Sequence, residues 1–195
     1  MTIFSVFRRL VSECYLLCNR WQFGSLGKKC FIYLPLEIRG KKNIYIGNDV
    51  SIGDKTWLAT LVIDNEETAR LEIGNGVVIG HMNHIYATGR VLIEDKVLTA
   101  DRVYISDNLH EYRDIRLPVV DQPIRQISHV RIGTGSWLGE GVCVIGAKIG
   151  KGCVIGANAV VTKDIPDYSV AVGIPARVIK KYNFDTEQWE KIVIS

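Results

Sequence analysis

A chain of 195 residues with 47% hydrophobic content supports one domain with a packed core and argues against disorder. A net charge of +3, with no run of Lys or Arg and no base-stacking motif, excludes a nucleic-acid binder, and no apolar stretch is long enough to span a membrane. The apolar N-terminus lacks a small-residue cleavage site, so no signal peptide is expected. Five cysteines (Cys14, Cys18, Cys30, Cys143, Cys153) are odd in number and lack metal-ligand spacing, which reads as buried reduced thiols in a reducing cytosol.

Residues 2–21 read as a helix. Ile3, Phe7, Leu10, Cys14, Leu17 and Trp21 recur at three- and four-residue steps, with Phe4, Val6, Val11, Tyr15 and Leu16 widening the stripe. Residues 1–30 are therefore expected to form a helical cap that packs its stripe on the open end of a solenoid and hides an edge prone to aggregation. A sharper alternative is peripheral contact of residues 2–21 with a membrane surface through Arg8, Arg9, Arg20 and the aromatic residues.

From Ile44 the chain keeps a beat of six. Ile73, Ile79, Ile85, Val91, Val97 and Val103 form one train, Ile132, Leu138 and Val144 a second, and Ile149, Ile155 and Val161 a third. That period fits neither an amphipathic helix nor an alternating strand; it is the mark of hexapeptide repeats wound into a parallel β-helix. Each unit supplies a short strand and a corner, and three units close a triangular coil. The aliphatic residue points inward, as does a smaller residue two places earlier: Val50, Val77, Ser136, Cys153, Ala159. Corners such as Gly74-Asn75-Gly76 and Gly133-Thr134-Gly135 supply residues that tolerate positive φ.

The interruptions mark function. Residues 59–70 leave the beat as a strand-like excursion with an acidic turn. Residues 107–128 hold no repeat, two prolines, mixed charges and His110, and long loops that break a solenoid are usually functional. The five-residue step from Val144 to Ile149 implies a tightened corner at Gly146-Ala147. Residues 182–195 read as a short terminal helix with Trp189 and Ile192 on one side.

The segment from Gly156 to Ile179, with Val103-Tyr-Ile-Ser-Asp-Asn-Leu-His110, Pro118, Gln122-Pro123 and Trp137-Leu-Gly-Glu-Gly141, resembles the hexapeptide-repeat acyltransferase superfamily in its polysaccharide and sugar O-acetyltransferase branch. The resemblance covers residues 44–181. It implies an all-β fold, a left-handed parallel β-helix over residues 31–181, although general crossover rules favour the right hand. It implies His110 as the catalytic base; members commonly carry His-x-His here, and Asn108, a candidate substrate contact, stands at the first position. It implies acetyl-CoA as acyl donor with no metal, a sugar or polysaccharide acceptor, and a homotrimer with sites at the subunit seams. Trp137 is implied to line the acetyl site. Gly139, Ala157, Thr162 and Lys163, with Arg177 and Lys180 for the phosphates, are implied to hold the cofactor. A cytoplasmic location is expected, or a peripheral one at the inner face of the inner membrane.

Acetyl transfer to an alcohol needs a base for the hydroxyl proton, donors for the oxyanion and a proton for the leaving thiolate, and one histidine can serve first and last. The second ring nitrogen of His110 needs an acceptor, either a backbone carbonyl or Glu111 or Asp114. Asn83 is a candidate oxyanion or acceptor contact, and His84 a candidate substrate contact. Neither Cys143 nor Cys153 sits in an activating motif, which favours direct transfer. The alternatives are an antibiotic acetyltransferase of the same superfamily, a zinc enzyme using His81, His84 and His110, and a non-enzymatic scaffold.

Overall fold

The computed structural model describes residues 3–63 and 69–192. The helix spans Ile3–Asn19 and is followed by six three-strand coils and a partial seventh. The first face of the prism stacks Ser25–Leu26, Ile44–Ile46, Arg70–Ile73, Arg90–Ile93, Val130–Ile132 and Lys148–Ile149. The second stacks Phe31–Ile32, Ser51–Ile52, Val78–Ile79, Leu98–Thr99, Trp137–Leu138, Val154–Ile155 and Ser169–Val172. The third stacks Glu37–Arg39, Trp57–Thr60, His84–Ala87, Tyr104–Ser106, Cys143–Ile145 and Val160–Val161. All pairings between coils are parallel.

The core is the six-residue beat made solid. Ile79, Ile85, Val91, Val103, Ile132, Leu138, Val144, Ile149, Ile155 and Val161 are each 1% exposed or less, and the smaller partners Val50, Val77, Ser136, Cys153 and Ala159 are equally buried. Like residues sit in register between coils, as Ile85, Ile105 and Val144 do. Truncation of Ile105 to alanine therefore opens a void bounded by equally rigid neighbours. We expect a loss of about 2–5 kcal/mol, measured by denaturant unfolding, with little relief from collapse.

The left-handed backbone falls on the third residue of each corner: Asp49 (φ 56°), Gly76 (62°), Lys96 (59°), Gly135 (70°), Gly152 (61°), Asn158 (58°). The first corner residue is small for another reason. A Cβ on Gly53 would lie 2.5 Å from the carbonyl oxygen of Gly80 in the next coil. The corners are further tied by amide ladders: Asn75 Oδ1 accepts from the Asn48 backbone (2.9 Å) and Asp95 Oδ1 from the Asn75 backbone (2.6 Å). The tightened corner at 146–147 is present, with Gly146 at φ 57° and Ala147 fully buried.

Four expectations need correction. The prism starts before Ile44: Ser25–Leu26 pairs with Tyr45–Ile46, and Phe31–Ile32 with Ser51–Ile52. Leu26, Ile32 and Ile38 already keep the six-residue beat, so the cap ends before residue 30. The helix does cover the open end, but with its other face. Ser12 Oγ accepts the edge N–H of Ile32 (2.8 Å), Arg8 pairs with Asp54 (3.0 Å), and Leu16 is buried. A strand edge presents unpaired polar groups, so the helix meets it with polar residues and leaves Phe7, Leu10, Leu17 and Trp21 exposed. The side chains of Ile3, Phe4 and Val6 lie outside those described. Cys14 and Cys18 are exposed for the same reason, not buried.

The terminal helix is instead an antiparallel hairpin of Arg177–Asn183 with Gln188–Lys191, hydrogen-bonded to Ser169–Val172. Asn183 Oδ1 caps the turn by accepting from the backbone of Asp185 (2.8 Å), and Tyr182 packs edge-on against Trp189. The acidic turn within 59–70 falls on 64–68, outside the described residues. Among the described residues no helix is long and apolar enough to cross a membrane.

Candidate functional site

Both interruptions leave the prism at the same edge, where the third face turns into the first. The larger one is an ordered hairpin. Asn108–His110 pairs antiparallel with Ile124–Gln126, placing His110 opposite Ile124. Its tip is stapled by Gln122, whose Nε2 donates to the carbonyls of Asp114 (3.0 Å) and Leu117 (2.9 Å).

The base of the hairpin rests on a carboxylate that sequence reasoning missed. Asp107 is fully buried. It accepts from the Thr88 backbone (2.8 Å), Thr88 Oγ1 (3.0 Å), the Gly89 backbone (2.7 Å) and Asn108 Nδ2 (3.0 Å). The two chain segments it joins are eighteen residues apart, and no local motif announces such a clamp. The position just after a repeat strand and just before the loop is the only signal.

His110 is exposed, and among the described residues no hydrogen-bond partner holds its ring. The two carboxylates considered as its orienting partner are taken by guanidinium groups. Arg113 donates to Glu111 and pulls its pKa down to about 2, with Arg125 beside it at 3.4 Å. Arg116 holds Asp114 (2.8 and 2.7 Å) and lowers its pKa likewise. Both stay ionised and are held by guanidinium groups, and neither contacts the His110 ring in this arrangement.

Two other predicted contacts turn inward. Asn83 is 1% exposed; its amide donates to the carbonyls of His81 (3.1 Å) and Ala100 (2.9 Å) and accepts from Thr99 Oγ1 (3.0 Å). Its capacity is spent on the corner, so it cannot reach an oxyanion or acceptor. Asn108 is 5% exposed; its backbone N–H donates to Ser106 Oγ (3.2 Å) and its Nδ2 to Asp107 (3.0 Å), so it shapes the base of the hairpin. A small buried amide at a corner is saturated by the carbonyls of the next coil, which the sequence alone does not reveal.

His84 faces outward on the third face. Its ring lies flat on Trp57 (centroids 4.2 Å apart, 7° between planes) and meets the edge of Tyr104 at 5.2 Å. Burial in this stack pushes its pKa below the ordinary histidine value. His81 is bracketed by Asp54 and Asp101 at 3.0 and 3.1 Å. Cys153 is buried, which raises its thiol pKa, and it cannot serve as an acyl-accepting nucleophile.

The remaining predicted residues fall on other parts of the prism. Trp137 is half-exposed on the second face, in one rung with Leu98 and Val154. Gly139 and Ala157 stack at the edge between the second and third faces. A Cβ on Gly139 would sit 2.8 Å from the Ala157 nitrogen, so that edge stays smooth. Thr162 and Lys163, both exposed, lie at the edge that carries the loop. Arg177 and Lys180 lie on the terminal hairpin, opposite Val172 and Val170. A single chain thus divides the predicted set: His110, Thr162 and Lys163 at one edge, Trp137, Gly139 and Ala157 on the second face and the opposite edge. The loop tip carries exposed apolar side chains among its ion pairs, with Ile115 95% and Val120 85% exposed.

No family model matches the chain. Its relatives include two provisionally named proteins. One is an acetyltransferase of Mycobacterium tuberculosis, 42% identical over 163 residues, covering 83% of this chain and 51% of that protein. The other is a lipopolysaccharide biosynthesis O-acetyl transferase of Escherichia coli, 35% identical over 167 residues, covering 82% of this chain and 83% of that protein. The chain spans about half the length of the mycobacterial relative. Among solved structures, a variant of the N-acyltransferase AntD of Bacillus cereus, in complex with dTDP and coenzyme A, superposes with a TM-score of 0.74. It is 21% identical and covers 90% of this chain and 91% of that one, a likeness of fold.

Proposed function

The chain belongs to the hexapeptide-repeat acyltransferase superfamily, and from that premise we propose that it is an acetyl-CoA-dependent O-acetyltransferase acting on a sugar hydroxyl. The Escherichia coli relative, named for lipopolysaccharide biosynthesis, supports a role in assembly of a surface polysaccharide or lipopolysaccharide, and in this reading the enzyme works on the cytoplasmic side of the membrane. The β-helix is left-handed in this reading, and the working unit is a homotrimer.

The observation that carries the proposal is the division of the site between two edges. A cyclic ring brings the loop edge of one copy against the second face and smooth edge of the next, a heterologous contact that closes after three. The exposed apolar side chains of the loop tip are the part of the seam that needs a neighbour. Within the seam the pantetheine arm lies along Gly139 and Ala157, where no side chain intrudes. Lys163, Arg177 and Lys180 meet the phosphates. Trp137 lines the acetyl group, and His84 stands beside the acceptor.

His110 then acts twice. Its imidazole takes the hydroxyl proton as the sugar oxygen bonds to the thioester carbon. The tetrahedral oxyanion is held by backbone N–H donors of a corner. Its collapse breaks the carbon–sulfur bond, and the imidazolium returns the proton to the leaving thiolate of coenzyme A.

Mixed oligomers test this reading. Co-expressed His110→Ala and Ala157→Trp chains are each inactive alone. Random mixing in a three-site ring leaves one intact seam in each mixed trimer, which predicts roughly a quarter of wild-type thiol release. No recovery in verified mixed oligomers would place the site within one chain and end the seam model.

A further inference from the structure

The outward face of the N-terminal helix carries an uncovered apolar stripe. Phe7, Leu10, Leu17 and Trp21 are 62%, 54%, 80% and 80% exposed, and Cys14 between them is exposed too. The apolar patch continues onto the first coil through Leu34 and Leu36, 65% and 70% exposed, with Phe7 and Leu34 lining one small hollow. Among the described residues the polar and buried contacts that dock the helix come from Arg8, Ser12 and Leu16, on the side away from Leu10, Leu17 and Trp21.

Charge says what covers the patch. Residues 1–42 carry eight Lys and Arg against two Glu, a net +6 in a chain whose total is +3, leaving −3 for the rest. Both acids are neutralised locally, Glu13 by Arg9 (3.2 Å) and Glu37 by Arg39 (2.9 Å). Beside the stripe, a hollow of about 380 Å³ is lined by Arg9, Arg20 and Lys29, by Glu13 paired to Arg9, and by Leu16, Leu17 and Phe31. Cationic groups thus border apolar ones at the flank of the helix, where phosphate headgroups would lie if the stripe entered the acyl region. A second copy docking face to face would bring this +6 end against its equal, which disfavours self-association.

We propose that this end of the prism binds the surface of an anionic lipid bilayer, with Phe7, Leu10, Leu17 and Trp21 inserted and Arg9, Arg20 and Lys29 on the headgroups. The location would keep the enzyme beside acceptors built on that surface.

Co-sedimentation with vesicles decides it. The wild type is expected to pellet with equimolar phosphatidylcholine–phosphatidylglycerol vesicles, to stay in solution with phosphatidylcholine alone, and to be released by salt. Leu17→Glu/Trp21→Glu alters only side chains 80% exposed, so its circular dichroism should be unchanged while its pelleting falls ten-fold or more. Lys29→Glu should weaken binding to the anionic vesicles alone. Three results overturn the proposal: a wild type that never pellets, a double variant that pellets equally, or light scattering in which the double variant has half the wild-type mass. The last would assign the stripe to contact between copies.

Discussion

Replacing His110 with alanine is expected to slow coenzyme A release from acetyl-CoA by about 10²–10⁴-fold, the usual cost of losing a positioned base. The fold should not notice. The side chain is exposed, while its backbone stays paired with Ile124 and the hairpin stays stapled by Gln122. Coenzyme A affinity, measured by calorimetry, should remain within a few-fold, because the residues assigned to the cofactor lie on other segments. The combination separates a chemical role from a structural one: turnover falls, thermal midpoint and cofactor binding hold. A covalent route through a cysteine would instead leave a burst of acetylated enzyme, and Cys153→Ser would abolish it. The buried, pKa-raised thiol of Cys153 makes that burst unexpected. A His110→Ala enzyme with unchanged turnover would remove the base from the mechanism.

The prism was legible because its cause is repetitive. Stacked coils demand an inward aliphatic residue every sixth position, and Ile79, Ile85 and Val103 obey that demand wherever they are read. The first coil was missed although Leu26, Ile32 and Ile38 keep time, because Tyr33 and Arg39 follow where Gly usually does. The helix docks by the face opposite to the one its sequence suggests. Its apolar stripe suggested a hydrophobic contact, but its partner is a strand edge whose N–H groups call for Ser12 and whose corner offers Asp54 to Arg8. At the C-terminus, Trp189 and Ile192 are three residues apart, a step that a hairpin accommodates as readily as a helix once Asn183 closes the turn. A lone histidine in a long loop stands out in sequence, whereas its separation from Trp137 and Gly139 by a face of the prism is a property of three dimensions. So is the withdrawal of Asn83, whose amide is consumed by carbonyls of its own and the next coil.

Asp107 should matter for stability and catalysis together, and Asp107→Ala is expected to cost about 3–5 kcal/mol. The estimate follows from its partners: the backbone N–H groups of Thr88 and Gly89, the Thr88 hydroxyl and the Asn108 amide would be left in a site with no solvent to replace the carboxylate, and each orphaned buried donor costs about 1–3 kcal/mol. For a chain of this length the thermal midpoint should fall by roughly 10 °C. Asp107→Asn keeps one acceptor oxygen but turns an NH₂ toward a donor, so its loss should be intermediate. The same clamp sets where the hairpin leaves the edge, since the Asp107 carbonyl also accepts from Ile127 at 2.8 Å and closes the loop. Turnover should therefore fall beyond the unfolded fraction, and amide exchange at Leu109 and Ile127 should accelerate while core strands such as Val91–Ile93 remain protected. Equal acceleration in loop and core would mean that Asp107 acts on global stability alone, and that His110 is aimed by something other than the buried carboxylate beneath it.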